Sequence, residues 1–98
     1  MKTGSCLGSG RPGFEIRLPE DDRVPQTIRS PERCIQLCKI KSNKVGMSAC
    51  CVYDIDQESC YWVNYHRSPQ IIKGDKYRSV RCLKGYLKKP NFLFLMYI

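Results

Sequence analysis

Six of the seven cysteines fall between residues 34 and 82, standing at the ends of short apolar segments, and the seventh, Cys6, lies far upstream. In a chain of 98 residues that spacing decides most of what can fold. A domain this short buries only about 60 to 65% of the surface its unfolded chain exposes, so an apolar core alone leaves it marginal. The cysteine content approaches the roughly 8 to 10% at which a small cross-linked scaffold becomes the leading expectation. Each native disulfide contributes about 2 to 4 kcal/mol, enough for three to supply most of the net stability of one domain. An odd count leaves at least one thiol unpaired within the chain, either free or available to another chain.

Disulfides persist in oxidising compartments. Met1 to Gly10 nevertheless lacks the apolar run of a signal peptide, and no asparagine stands in an N-x-Ser/Thr acceptor. The expectation is an extracellular or secreted module, either a piece of a longer multidomain chain or the product of a gene model that lost its first exon, against the competing case of a cytosolic protein with reduced cysteines.

Charge is unevenly spread. The formal net charge is +8, and from residue 61 onward Arg67, Lys73, Lys76, Arg78, Arg81, Lys84, Lys88 and Lys89 face only one acid, Asp75. Acids gather instead at Glu20, Asp21 and Asp22 and at Asp54, Asp56 and Glu58. A basic third of this kind suits an acidic partner such as a sulfated glycan, an anionic membrane surface or an acidic protein, or else is simply a solvated lysine-rich face.

Phe14-Glu15-Ile16-Arg17-Leu18 alternates like a half-buried strand closed by Pro19. Ser30 is a good helix N-cap, Pro31 is preset for the first helical position, and Glu32 sits at the positive end of the helix dipole. Cys34, Leu37 and Cys38 recur at helical spacing, so both thiols share one face. The helix is expected to fade near Ser42-Asn43 and stop before Gly46. Residues 49–54 and 60–65 read as strands around a polar turn at 56–59. Residues 76–83 read as a last strand, with Tyr77, Ser79 and Arg81 facing one way and Arg78, Val80 and Cys82 the other. The fold class expected is α+β, one short helix packed on a small antiparallel sheet and stabilised by disulfides.

The order of these pieces resembles the PAN/apple domain family, an extracellular adhesive module. The residues that carry the resemblance are Cys6; Ser30-Pro31-Glu32 with Cys34 and Cys38; Cys50 or Cys51 with Tyr53-Asp54; Cys60-Tyr61; and Tyr77 to Cys82. It covers residues 6–83, leaving 1–5 as a disordered N-terminus and 84–98 as a basic, then apolar, tail. The resemblance implies the pairs Cys34 with Cys60, Cys38 with Cys50 or Cys51, and Cys6 with Cys82. Adjacent strand residues face opposite sides, so only one of Cys50 and Cys51 reaches Cys38 easily. The resemblance also implies adhesion to proteins or carbohydrates without catalysis.

Other constellations suit the residues less well. Zinc on Cys34, Cys38, Cys50, Cys51, Cys60 and His66 lacks the tight cysteine pairs of structural sites, and a Cys–His nucleophile lacks any motif around His66. Lys73-Gly74-Asp75 resembles an integrin-recognition tripeptide but is also an ordinary turn. Trp62 is expected in the core, with Tyr61 or Tyr65 as surface aromatics. Residues 91–98 are strongly apolar yet too short to span a bilayer. The expected function is a non-catalytic binding module, with no cofactor, no metal and no nucleic-acid partner. Its ligand, a protein or an acidic glycan, would meet Arg67, Lys73, Lys76, Arg78 and Arg81, with Tyr65 and Tyr77 beside them. The alternative is a cationic cysteine-rich effector acting at membrane surfaces through the basic tail.

Overall fold

The computed structural model describes residues 1–65 and 68–84. One helix, α1 (Pro31–Val45), packs on a five-stranded antiparallel sheet built from β1 (Lys2–Thr3), β3 (Glu15–Leu18), β4 (Ala49–Asp54), β5 (Ser59–Val63) and β7 (Arg78–Leu83). The strand order is β1-β7-β4-β5-β3. A second, two-stranded ribbon pairs β2 (Ser5–Cys6) with β6 (Ile71–Ile72). The α+β fold read from the sequence is the one observed.

Local chemistry sets the helix ends. The Ser30 side chain accepts from the Arg33 backbone N–H at 3.2 Å, satisfying one of the helix's unpaired first-turn donors. At the other end Gly46 adopts the left-handed conformation, φ 69°, and its N–H bonds the Ser42 carbonyl, the glycine stop of an αL cap. The helix therefore runs through Ser42 and Asn43 and ends at the glycine.

The central strand β4 is buried along its whole length, and from Ala49 to Tyr53 it carries apolar, sulfur or aromatic side chains on both faces. Cys51 and Tyr53 point toward α1, joining Leu18, Ile28, Cys34, Cys38, Cys60, Trp62 and Leu83 in one core. Cys50 and Val52 point away, into a second core with Cys6, Val63 and Val80 that Tyr61 and Tyr65 partly cover. Three disulfides tie these layers together: Cys34–Cys60, Cys38–Cys51 and Cys6–Cys50.

Two expectations are corrected. Cys6 joins Cys50, not Cys82, because Cys50 presents its sulfur on the back face of β4 where the Cys6 strand crosses; Cys82 is an exposed free thiol. Residues 1–5 are not disordered either, since Lys2 and Thr3 pair with Val80 and Ser79 and Ser5 is buried. The cysteine at position 6 draws that segment down onto the sheet.

Candidate functional site

Of the basic residues singled out in the sequence, Lys73, Lys76, Arg78 and Arg81 lie along β7 and the turn before it. β7 lies between β4 and the short β1, and the segment that joins β6 to β7 crosses beside it. Asp75 builds the turn into β7: its carboxylate accepts the Tyr77 N–H at 3.0 Å, and its carbonyl accepts the Arg78 N–H at 3.0 Å. Gly74 lies against the Gly4–Ser5 backbone so closely that a Cβ there would fall 2.6 Å from the Gly4 carbonyl carbon. Only glycine lets the two segments meet. The Lys73-Gly74-Asp75 tripeptide is thus accounted for as a packed turn.

Lys73 and Lys76 are exposed on this turn, and Lys76 places its ammonium 5.1 Å from the Tyr77 ring centre, a cation–π distance. Arg78 is held by Asp54, with Nε 3.5 Å from Oδ2; Asp54 is itself buried and also accepts from the Gln57 N–H at 2.9 Å. Arg81 is exposed on β7. Two cations not singled out with this set are also exposed beside β7, Lys2 on the neighbouring β1 and Lys84 just past the far end of β7. Lys2 could not be assigned there from sequence, because a two-residue strand leaves no periodic signal.

Tyr65 does not join them. Its ring meets Phe14 edge-on with centroids 5.1 Å apart and lies 4.9 Å under the Arg11 guanidinium. Its Cβ occupies the space a side chain at Gly8 would need, an added Cβ falling 2.1 Å away. Tyr65 therefore packs the N-terminal segment onto the back of the sheet, at the end of β5. Arg67 and His66 lie outside the described residues, as does the apolar segment 91–98.

Trp62 is in the core as expected: it is buried, donates its indole N–H to Ser42 Oγ at 2.8 Å, and lies under the Lys41 ammonium. Beside it, Phe14, Ile16, Val45 and Met47 line a shallow apolar cleft along the C-terminal end of α1. No sequence pattern pointed to this cleft, whose walls come from three separate segments.

The four sulfurs of Cys34, Cys38, Cys51 and Cys60 lie within 4.8 Å of one another, all buried. As two disulfides they offer no thiolate to a metal ion. Cys82 keeps its thiol, with Sγ 3.4 Å from the Pro69 carbonyl oxygen. Although the residue is exposed, the packing around its sulfur pushes the thiol above its ordinary range, and the nearby Lys2 ammonium pulls it partway back.

No helix among the described residues is long and apolar enough to cross a membrane. Three disulfides place the folded chain in an oxidising environment. Comparison with protein-family models, with curated proteins and with solved structures finds no match to this chain.

Proposed function

We propose that this chain is a PAN/apple-like, non-catalytic extracellular module that binds an acidic protein or glycan through β7 and the turn before it. The observation that carries this reading is electrostatic. Lys2, Lys73, Lys76, Arg81 and Lys84 are exposed on β7, the segments flanking it and its neighbour β1, and none forms an ion pair among the described residues. Three ion pairs form among the described residues, Arg23 with Asp21, Lys41 with Glu20 and Arg78 with Asp54, and none involves these five cations. A cluster left unmatched raises the local positive potential and concentrates anions against it.

The scaffold suits such a role. Disulfides on both faces of β4 fix the sheet, and the Asp54–Arg78 pair holds the first residue of β7 in place. A rigid array loses little conformational freedom when it meets a ligand. The helix-to-sheet pairs Cys34–Cys60 and Cys38–Cys51 agree with those the family resemblance implies, and Cys6–Cys50 departs from them.

Retention on a heparin matrix tests the proposal. The protein should bind at low salt and elute as salt screens the contacts, and the quadruple variant Lys73→Ser, Lys76→Ser, Arg78→Ser, Arg81→Ser should elute at clearly lower salt. Equal elution of the two proteins, or retention indifferent to salt, would sink the acidic-ligand reading.

A further inference from the structure

Cys82 stands directly across from Cys50 in the register of β7 and β4. The Ile55 N–H donates to the Tyr77 carbonyl at 2.9 Å, which makes 55 and 77 a hydrogen-bonded pair. Antiparallel pairs alternate, so 54 with 78, 52 with 80 and 50 with 82 are the non-hydrogen-bonded kind. In that kind the Cα atoms approach to about 4.5 Å and the side chains lean together on one face, within the Cα span of about 4.4 to 6.8 Å that a disulfide can bridge. Cys50 already has a partner, Cys6. Three sulfur-bearing residues therefore meet on the back of the sheet, two joined and one free.

We propose that Cys82 is an internal exchange thiol for the Cys6–Cys50 bond. Cys82 loses its proton to solvent and turns about its Cα–Cβ bond from the Pro69 carbonyl toward the sheet. Its thiolate attacks Cys50 Sγ; the Cys82–Cys50 bond forms as the Cys50–Cys6 bond breaks, and Cys6 leaves with the electron pair and takes up a proton. One disulfide and one thiol enter, and one of each remain, so no oxidant or reductant is consumed.

The exchange moves a covalent hold from one part of the molecule to another. With Cys6–Cys50 in place, the N-terminal segment is bolted to β4 while β7 has no covalent link to it. With Cys50–Cys82 in place, β7 is bolted to β4, and β2 keeps only its two-residue pairing with β6. Cys6, fully buried in the first form, becomes the thiol of a loosened strand. The hollow around Cys82, lined by Met1, Lys2, Ile71, Val80 and Arg81, consists of the strands that the exchange would tighten or release.

The test is to incubate the folded protein at mildly alkaline pH, quench with acid at intervals, alkylate the free thiol and locate the label by peptide mass spectrometry. Label should start on Cys82 and spread to Cys6 at a rate independent of protein concentration, and Cys82→Ser should give no label at Cys6. A Cys6→Ser variant refolded in a glutathione redox buffer should join Cys50 to Cys82 and show no alkylatable thiol. Label confined to Cys82 at all times in the wild type overturns the proposal, as do two free thiols in a folded Cys6→Ser protein. The wild-type labelling decides the matter if that variant does not fold.

Discussion

The indole N–H of Trp62 donates to Ser42 Oγ at 2.8 Å across the helix–sheet interface, with both side chains buried. One short hydroxyl lets the largest aromatic of the chain sit in the core without an orphaned donor. Ser42→Ala removes the acceptor and leaves that donor dry, which costs about 1 to 3 kcal/mol. Urea unfolding followed by tryptophan fluorescence should show the midpoint fall with little change in slope. An unchanged midpoint would mean that the indole finds another acceptor.

The three disulfides differ in the length of chain they close. Sequence separations are 44 for Cys6–Cys50, 26 for Cys34–Cys60 and 13 for Cys38–Cys51. If each acts mainly by restricting the unfolded chain, removing Cys6–Cys50 by double alanine substitution destabilises by about 1 kcal/mol more than removing Cys38–Cys51. Comparing unfolding free energies of the two double variants checks the order. The reverse order would show that packing of the buried helix-side sulfurs outweighs loop closure.

Tyr53 is buried, and its hydroxyl donates to the Ile28 carbonyl at 2.6 Å. Burial, reinforced by the carboxylates of Glu58, Asp54 and Glu32, pushes its phenol above the ordinary value. The folded state thus favours the neutral ring. The stability this carries is whole below the unfolded value of about 10 and is lost as pH rises through it toward the higher folded value. Unfolding free energies measured between pH 9 and 11 should decline in the wild type and decline less in Tyr53→Phe. Parallel declines would assign the loss to other groups.

Gly74→Ala forces the Gly4–Ser5 backbone away from the turn before β7, because the nearest atoms to the new Cβ are backbone and cannot rotate aside. The expected cost is about 1 to 3 kcal/mol, read as a lower thermal midpoint. Amide exchange should quicken at Lys2 and Thr3 first, since their pairing to β7 depends on that approach. Unchanged exchange there would show that β1 docks independently of the turn.

The helix and the long strands were legible because each is announced by more than one local signal. Ser30, Pro31 and Gly46 bracket α1, and the run from Ala49 to Asp54 became β4 residue for residue. Opposite facings of Cys50 and Cys51 follow from the strand period, and the structure uses both faces. What the sequence did not reveal lies in two-residue strands and in contacts between distant segments. β1, β2 and β6 are too short for any period to register, so the docking of the N-terminus was missed. The Cys6 pairing failed for the same reason, since its partner is fixed by which face of the sheet that segment crosses. Of the proposed binding residues, Lys73, Lys76, Tyr77, Arg78 and Arg81 lie near one another because they are close in sequence along one turn and strand. Tyr65 goes elsewhere because Gly8 opens a slot for it on the other side.

The adjacent cysteines of β4 also set how the molecule bears load. Every sulfur link falls between residues 6 and 60, so that stretch is a cross-linked mesh in which tension can draw out only the few residues between one link and the next. β7 lies outside the mesh. A pull toward the C-terminus would unzip the cationic strand from its neighbours, one backbone pair after another, while the remainder kept its shape.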